Sequence, residues 1–418
     1  MSLHDDMVLM GDRAVVASRA LARLSPRKKN SILGAMADEL DARRQAIKDA
    51  NARDMEGGRQ AGLPAPMLDR LELTDARIDA MIKGVRAVVS LKDPVGTKIS
   101  RWIRPNGLVI QKVRVPIGVI AIIYESRPNV TSDAAVLCIK TSNAVILRGG
   151  KEALQSNMAI ADALQAGGRK KGLPEHSIQV VVTTDRDAVR ELVQLEGRVD
   201  LAIPRGGESL IRAVAEQARV PVIKHYKGVC HIYVDESADL EMALNIVENA
   251  KCQRPGVCNA VEKVLANARI AQAFLPRMAE RLQARKVELR GDAASRAVVP
   301  SMKEAVEDDW YAEYLDLILA VKIVSDVHAA VAHINKYGSH HSDAIVGQDE
   351  AAQGVFTREV DSAAVYVNAS TRFTDGAEFG MGAEIGISTD KLHARGPMAL
   401  EELTTYKYVV LGTGQIRE

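Results

Sequence analysis

Apolar residues recur at helical spacing through the first part of the chain and give way further on to continuous apolar runs. Between 12 and 51 an alanine-rich segment carries large apolar residues every three or four positions, which predicts amphipathic helices. Ser25-Pro26 is a helix start signal, and Thr74-Asp75 opens a further helix over 74–88. The glycines at 57–58 and the Gly-Leu-Pro at 62–64 are expected to interrupt this helical region.

Continuous apolar runs then predict a parallel sheet. The runs 118–124 and 143–148 are separated by a helix-like stretch at 133–140. Strands that are buried on both faces and alternate with helices are typical of βαβ units. Similar runs at 178–182 and 201–203 extend the pattern, so we expect a doubly wound, nucleotide-binding half.

Paired glycines follow two of these strands. Gly149 and Gly150 come after the second run, and Gly206 and Gly207 come after the fourth. Glycines between a strand and a helix let a phosphate approach backbone N–H groups, although paired glycines also occur in ordinary turns. No GxGxxG motif follows these strands, so the glycine pairs alone do not establish a cofactor site.

The remaining pattern predicts a second α/β lobe and a small arm. Two more strands are expected at 222–223 and 231–235. Helices at 238–250 and 270–284 and strands at 261–265, 317–324, 343–346 and 363–367 then form the second lobe. Two strand-like runs within 96–113 flank Pro105-Asn106-Gly107, a turn signal, and predict a hairpin arm. The tail at 404–411 is a further strand that could pair with this arm across a subunit interface.

Length and charge narrow the functional classes. A chain of 418 residues is too long for one core, so we expect two domains of ordinary size and an additional arm. The 55 lysines and arginines nearly balance 54 acidic residues, which indicates neither nucleic acid nor an anionic membrane as a partner. No signal-peptide pattern or bilayer-length apolar run is visible, so we expect a cytoplasmic protein with a small-molecule substrate.

Cysteine placement singles out one thiol. The four cysteines, Cys138, Cys230, Cys252 and Cys258, show no CxxC pair or zinc-like histidine spacing, so neither a disulfide framework nor a metal is expected. Cys258 lies in a Pro-Gly turn before a strand, where Lys251, Arg254 and backbone N–H groups could stabilise a thiolate. The alternative is that Cys258 is a small buried apolar residue.

Four motifs make the chain resemble the aldehyde dehydrogenase superfamily along nearly its whole length. They are Tyr124-Glu125-Ser126-Arg127-Pro128-Asn129-Val130, Asn249-Ala250-Lys251 with Gln253-Arg254-Pro255 and Cys258-Asn259, His340-His341-Ser342-Asp343-Ala344-Ile345, and the run from Val367 to Gly376. The resemblance implies an α/β fold with a Rossmann-like cofactor domain, an α/β catalytic domain and a small β oligomerisation arm. The domains expected are 1–96 with 116–234, 235–403, and 97–115 with 404–418, respectively.

Within that superfamily the motifs are most similar to the branch that reduces an acyl phosphate in proline biosynthesis. The resemblance implies that Cys258 displaces phosphate from L-glutamyl 5-phosphate, and that NADPH reduces the resulting thioester to L-glutamate 5-semialdehyde. This reaction is the second step from glutamate to proline. A homo-oligomer is implied as well, a glutamate 5-kinase is a candidate partner, and Cys252 is expected to be incidental.

The resemblance also suggests groups that contact the substrate. The oxyanion would be held by the backbone N–H of Cys258 and by a side-chain donor, for which Asn129 is preferred to Ser126. Two arginines are candidates for the substrate carboxylate, and nearby polar residues are candidates for its ammonium group. These candidates are Arg127, Arg372, Asn368 and Asp375, with Glu125 as a further acid. Each arginine could equally be an ion-paired structural residue.

Cofactor preference follows from a departure from the family pattern. NAD-using relatives carry a lysine and a glutamate that reach the adenosine ribose, whereas this chain has Arg148 and Lys151 at those places. A cation attracts the 2′-phosphate that a carboxylate repels, so we expect NADP(H). Glu313 resembles the family's acid at the nicotinamide ribose. The alternative is that Arg148 and Lys151 are solvated loop charges.

A second departure concerns the fate of the thioester. Relatives that oxidise aldehydes carry a water-activating glutamate where this chain has His225, within Lys224-His225-Tyr226-Lys227-Gly228. Its replacement fits exchange with phosphate better than hydrolysis, although His225 could simply be structural. Two other classes stay open: a non-phosphorylating or CoA-acylating aldehyde dehydrogenase, and a non-enzymatic protein that shields an acyl phosphate.

Overall fold

The structure, a computed structural model, describes residues 2–417. Its helices are α1 Leu3–Leu21, α2 Pro26–Ala42, α3 Arg44–Gln60, α4 Ala65–Leu71, α5 Asp75–Ser90, α6 Asn129–Lys140, α7 Leu154–Lys170, α8 Asp187–Val193, α9 Glu208–Gln217, α10 Leu240–Cys252, α11 Ala271–Ala284, α12 Ala293–Val298, α13 Glu307–Tyr311, α14 Val327–Tyr337 and α15 Glu350–Glu359. Its strands are β1 Lys98–Ile103, β2 Val109–Pro116, β3 Val119–Tyr124, β4 Ala144–Arg148, β5 Ile178–Val180, β6 Leu201–Arg205, β7 Cys230–Val234, β8 Val261–Asn267, β9 Glu288–Gly291, β10 Lys303–Glu304, β11 Ile318–Val324, β12 Ser342–Val346, β13 Ala364–Val367, β14 Ile387–Ser388, β15 Gly396–Pro397 and β16 Thr404–Leu411.

Contacts divide the chain into two compact units. The first comprises residues up to Lys224, Gly380–Gly386 and Met398 onward, and the second comprises His225–Phe379 and Ile387–Pro397. Over the residues that the structure describes, no helix combines the length and hydropathy that a bilayer-crossing segment needs.

The helical start signals agree with the structure, but one interruption does not. Ser25 accepts a hydrogen bond from the N–H of Lys28 at the start of α2, and Thr74 does the same for Arg77 at the start of α5. Gly57 and Gly58, expected to break the helical region, lie within α3. A Cβ at Gly58 would come within 3.0 Å of Leu63, so this glycine permits close packing instead of ending the helix.

The first unit contains the predicted parallel sheet. Its four strands are in the order β5-β4-β3-β6, and all neighbouring pairs are parallel. β3 and β4 are buried along their whole length, which agrees with their unbroken apolar sequence. The expected strand at 222–223 is reduced to a single bridge between Ala202 and Val222.

The arm is a separate antiparallel sheet with the strand order β1-β2-β16. The tail pairs with β2 from Thr404 opposite Pro116 to Leu411 opposite Val109. Both edges of β2 are thus occupied by strands of its own chain, so the tail pairs with the arm within one chain, and pairing across a subunit interface stays a prediction. Several large apolar side chains of the arm are exposed, among them Trp102, Tyr406 and Tyr408.

The second unit is built on a seven-stranded sheet in the order β10-β9-β11-β8-β7-β12-β13. One apolar cluster packs α10 and α11 against this sheet, and another packs α14 and α15. β7 pairs with β8 on one side and with β12 on the other. Residues 225–234, which the sequence assigned to the cofactor domain, therefore belong to the second unit. The local sequence pattern could not predict that β7 belongs to the second sheet, because the strands that pair with β7 come later in the chain.

Candidate active site

The thiol turn lies between α10 and β8 in the second unit, and the two ends of the turn are joined by an ion pair. Cys258 is half-buried within it. Lys251 Nζ lies 2.9 Å from Glu262 Oε2, and both side chains are fully buried. Burial raises the pKa of Glu262, an effect that the charge of Lys251 opposes. Lys251 is therefore ion-paired with Glu262. From the sequence, its charge was instead expected to stabilise the thiolate of Cys258.

The backbone of Cys258 is contacted by the segment just before β7 and by the first residue of β7. A Cβ at Gly228 would collide with the carbonyl group of Cys258, so only glycine permits this approach. The N–H of Gly228 donates to Glu313 Oε1 at 2.8 Å, and Cys230 Sγ donates to the carbonyl oxygen of Cys258 at 3.2 Å. These contacts fix the peptide that carries the thiol.

The other side of the turn is held by the loop after β13. Asn259 Nδ2 donates to the carbonyl of Thr374 at 2.9 Å, and Thr371 Oγ1 donates to the carbonyl of Asn259 at 2.7 Å. Arg372 donates through Nη1 to Asn259 Oδ1 and through Nε to Gln253 Oε1 at 2.8 Å. The structure thus brings Arg372 to the thiol turn, as the resemblance implied.

Arg372 also supplies positive charge near the sulfur. Burial, together with the nearby charge of Arg254, lowers the pKa of Arg372, and a thiolate at Cys258 would favour its charged form. A guanidinium remains protonated despite such a shift. Arg372 therefore provides positive charge of the kind that a nucleophilic thiol requires.

Two histidines lie beside Cys258. One ligand-forming atom from each of His225, Cys258 and His341 lies within 4.8 Å of the other two. His225 Nδ1 donates to the carbonyl of Ile387 at 2.8 Å, and Nδ1 of His341 lies 2.9 Å from Ser342 Oγ. Burial, aided by the charge of His225, lowers the pKa of His341 to about 3, so this imidazole is neutral at physiological pH.

The remaining thiols are in a different situation. Cys138 and Cys230 are buried and Cys252 is half-buried. Burial raises the pKa of each of these three thiols, which keeps them protonated and weakly nucleophilic.

Two substrate-binding candidates in the second unit have local partners. Asn368 accepts from the N–H of Gly347 at 2.9 Å and donates to its carbonyl at 3.0 Å. Asp375 accepts from the N–H groups of Ala377 and Glu378. Both side chains therefore stabilise their loops in this structure, and their contact with substrate stays a prediction.

Arg148 and Lys151, the two residues predicted to lie at the adenosine ribose, are in the first unit and differ in their exposure to solvent. Arg148 is 7% exposed, and its guanidinium donates to the carbonyls of Gly149, Thr184 and Asp185. Arg148 therefore stabilises the loop that follows β5 through these hydrogen bonds. Lys151 is exposed at the start of a single 3₁₀ turn directly after Gly150. Of the two cations, Lys151 is the one presented to solvent.

The second glycine pair forms an anion-binding helix start. Gly207 precedes α9 as its N-cap, and its N–H donates to Glu125 Oε2 at 2.9 Å. A Cβ at Gly206 would collide with the same carboxylate. This helix N-terminus therefore already accepts one anionic group at close range.

The loop between β3 and α6 carries the remaining candidates. Asn129 is the first residue of α6, and its Nδ2 donates to Asp133 Oδ2 at 2.9 Å. Burial raises the pKa of Asp133 to about 6. Ser126 has a φ of 36° and donates through both N–H and Oγ to Glu152 Oε1, whereas Arg127 is exposed. An oxyanion role for Asn129 stays a prediction.

Three residues at the thiol turn were assigned no role from the sequence. Gly228 ends the segment that contains His225, Asn259 follows the nucleophile candidate, and His341 lies in the third motif. Their positions within the motifs were visible. Their contacts with Cys258 and its turn depend on strands that are distant in sequence and could not be predicted from local pattern.

Comparison with known proteins identifies the family. A sequence profile described as the aldehyde dehydrogenase family matches residues 4–316. The chain belongs to the aldehyde dehydrogenase family. Members of this family are oxidoreductases that use a nicotinamide cofactor. The resemblance inferred from the four motifs is thereby confirmed.

Similar members of the aldehyde dehydrogenase family share one name. A gamma-glutamyl phosphate reductase of Geotalea daltonii is 56% identical over 405 residues, covering 97% of each chain. One from Aquifex aeolicus is 55% identical over 415 residues, covering 97% of this chain and 95% of the relative. The crystal structure of a gamma-glutamyl phosphate reductase from Thermotoga maritima is 49% identical, with a TM-score of 0.97 over 99% of this chain and 100% of that one. The expected α/β fold of the family is confirmed by this match.

The contact between Gly228 and Cys258 yields a prediction. Gly228→Ala should shift the thiol peptide because the added methyl group meets backbone instead of a flexible side chain. We expect a loss of roughly 1–3 kcal/mol in the free energy of unfolding and a fall of about a hundredfold in turnover. Thermal unfolding and steady-state kinetics measure the two effects.

The matched control is Gly256→Ala in the same turn, where the nearest atom to an added Cβ is Leu315 O at 3.6 Å. This variant should remain within about 0.5 kcal/mol of wild type. Equal effects of the two substitutions would contradict a specific contact at Gly228.

Proposed function

We propose that the protein reduces L-glutamyl 5-phosphate to L-glutamate 5-semialdehyde with NADPH and releases phosphate, as the second step of proline biosynthesis. The observation that carries the proposal is the half-buried Cys258 in a turn clamped on both sides, with Arg372 beside it. The substrate is supported by the shared name of relatives that match over nearly the whole chain.

The chemistry begins with the sulfur of Cys258. Its thiolate attacks the carbonyl carbon of the acyl phosphate, and the tetrahedral intermediate expels inorganic phosphate to leave a thioester on Cys258. Phosphate is a good leaving group, and the nearby positive charge of Arg372 stabilises anions in this region. When bound, NADPH supplies the hydride that brings the acyl carbon to the aldehyde level. Loss of the aldehyde then regenerates the thiolate.

Oxyanion stabilisation is assigned to a backbone group and a side chain. In the proposal the N–H of Cys258 donates to the developing oxyanion, and its position is fixed by the packing of Gly228. Asn129 is proposed as the second donor. Its Nδ2 donates to Asp133, so it must exchange that partner for the oxyanion during the reaction.

The residues present fit a phosphorylated dinucleotide. The N–H of Gly207, at a helix N-terminus, binds the carboxylate of Glu125, so a pyrophosphate bound there would replace this carboxylate as the anion. Gly149 and Gly150 leave the backbone after β4 without side chains, and the exposed Lys151 follows them. We propose that Lys151 binds the 2′-phosphate, that Arg148 shapes the loop beside it, and that Glu313 holds the nicotinamide ribose.

The cellular setting is part of the proposal. The enzyme would act in the cytoplasm, receive its labile acyl phosphate from a glutamate 5-kinase and assemble into a homo-oligomer. The exposed aromatic side chains of the arm, including Trp102, Tyr406 and Tyr408, support assembly through that sheet.

Removal of the nucleophile is the primary test of the function. Cys258→Ala should reduce kcat by roughly 10⁴-fold or more, because the covalent step cannot occur without the sulfur. The assay follows NADPH formation from L-glutamate 5-semialdehyde, NADP and phosphate. Cys252→Ala is the matched control and should remain close to wild type.

The same assay separates the proposed reaction from its alternatives. Oxidative turnover should require inorganic phosphate, because phosphate must cleave the thioester. Turnover without phosphate, or with coenzyme A in its place, would assign the protein to another branch. Retention of a tenth of the activity by Cys258→Ala would remove Cys258 as the nucleophile.

Substrate carboxylate recognition is tested at Arg127 and Arg372. At least one alanine variant should raise KM for the semialdehyde about tenfold to a hundredfold, because a charge-assisted hydrogen bond of about 1.5–3 kcal/mol is lost. Repeating the kinetics with an aldehyde that lacks the α-carboxylate controls for distortion of the turn. In the responsible variant, KM should rise much more for the semialdehyde than for this analogue, and unchanged KM in both variants would place the carboxylate elsewhere.

Cofactor preference is tested at Lys151. Wild type should favour NADPH over NADH in kcat/KM, and Lys151→Glu should shift the ratio toward NADH by about tenfold to a hundredfold. Lys83→Glu, an equal charge change at an exposed position of α5, is the matched control. Equal use of both cofactors by wild type, or an unchanged ratio in Lys151→Glu, would refute the assignment.

A further inference from the structure

We propose that Cys258, His225 and His341 form a binding site for a borderline-soft divalent metal ion, with Zn²⁺ as the best fit, and that its occupation reversibly blocks the nucleophile. The binding site rests on geometry alone. The inhibitory effect rests on the proposed function, because it requires Cys258 to be the attacking group.

The three ligand atoms are close to a zinc geometry. One sulfur and two imidazole nitrogens lie within 4.8 Å of one another. A tetrahedral zinc ion with bonds of about 2.3 Å to sulfur and about 2.0–2.1 Å to nitrogen holds such atoms roughly 3.5 Å apart. Movements of about an ångström, within the range of side-chain rotations, therefore close the site.

His341 provides the observation that points to a ligand. Its side chain is fully buried, and within residues 2–417 its Nε2 has no hydrogen-bond partner. Most buried polar atoms in proteins have a partner, and this unpartnered nitrogen belongs to a ring with a ligand-forming atom within 4.8 Å of those of Cys258 and His225. A metal ion would satisfy the lone pair of this nitrogen.

The second nitrogen of each ring is already oriented. His225 Nδ1 donates to the carbonyl of Ile387 at 2.8 Å, which leaves Nε2 as its ligand atom. His341 Nδ1 lies 2.9 Å from Ser342 Oγ, and Ser342 Oγ lies 2.6 Å from Thr374 Oγ1. Metal-binding histidines typically have their other ring nitrogen fixed in this way.

The donor set determines which ion binds. One thiolate and two imidazoles favour zinc and related ions over magnesium or calcium, which prefer oxygen ligands. On binding, the thiol loses its proton to solvent and a sulfur–metal bond forms, without any change of oxidation state. Three protein ligands leave a fourth position for water, and the coordinated sulfur cannot attack an acyl phosphate while the ion is bound.

The test uses Co²⁺ as a spectroscopic probe and Zn²⁺ as its competitor on chelator-treated, metal-free full-length protein. Binding of one Co²⁺ per chain should produce a thiolate-to-cobalt charge-transfer band and the visible bands of a tetrahedral site, and Zn²⁺ should displace both. Cys258→Ser should abolish the charge-transfer band. His225→Gln and His341→Gln should each weaken Zn²⁺ binding by about tenfold or more.

Matched controls remove neighbouring ligands of the same type. Cys252→Ser and His340→Gln should bind Co²⁺ and Zn²⁺ as wild type does, since neither residue belongs to the cluster. If His341→Gln is unstable, two independent measurements remain. They are Zn²⁺ binding by His225→Gln, a substitution at a half-buried residue, and the rise in the wild-type Tm on addition of Zn²⁺. Absence of the charge-transfer band, or wild-type affinity in both histidine variants, would overturn the metal site.

Activity measurements separate the site from the proposed function. Stoichiometric Zn²⁺ should inhibit turnover, and a chelator should restore it. Cobalt bands that depend on Cys258 without any inhibition would support the site and contradict Cys258 as the nucleophile. Inhibition without those bands would overturn the site while leaving the proposed function intact.

Discussion

The placement of the thiol depends on a buried ion pair. Lys251 is in the last turn of α10 and Glu262 is near the start of β8, so their contact at 2.9 Å closes the loop that carries Cys258. Burying two charges costs several kcal/mol per ion unless geometry and further hydrogen bonds compensate. The second oxygen of Glu262 accepts from the N–H of Leu315 at 3.2 Å, which supplies part of that compensation. Removal of one partner would leave a buried charge, at a typical cost of about 3–5 kcal/mol.

Within this closed loop, backbone contacts set the position of the sulfur more than contacts of the sulfur itself. Gly228 packs directly on the carbonyl of Cys258, and Asn259 is hydrogen-bonded to the loop after β13 from both its side chain and its carbonyl. The same contacts hold Arg372 against the turn. Under the proposed function, misplacement by an ångström would slow attack on a carbonyl carbon, so these backbone contacts would preorganise the thiol.

Much of the fold could be predicted because its signals are local. Unbroken apolar runs identified β3 and β4, and cap residues such as Ser25 and Thr74 identified helix starts. The thiol turn was recognisable from Pro255 and Gly256 next to a strand. In contrast, the assignment of β7 to the second sheet and the pairing of β16 with β2 depend on hydrogen bonds between distant segments. Local sequence carries little information about such choices.

The candidate site shows the same division. Residue type correctly suggested a cation near the thiol, but it could not show that Lys251 is neutralised by Glu262 while Arg372 is available nearby. Arg148 was proposed for its positive charge and Asn368 for its polar side chain, and the structure uses both side chains to bind backbone carbonyls or N–H groups. A polar side chain at a motif position can serve the loop, the ligand or both, and only its partners in three dimensions distinguish these roles.

The surroundings of Cys258 also bear on the fate of a thioester formed there. Hydrolysis needs a base that accepts a proton from water near neutral pH. Burial lowers the pKa of His341 to about 3, which makes this imidazole a weak base. Across residues 2–417, the cluster that converges on the thiol contains two imidazoles and no carboxylate. Under the proposed function, a thioester on Cys258 has no carboxylate base in this cluster to activate water, which fits its reaction with hydride or phosphate better than hydrolysis.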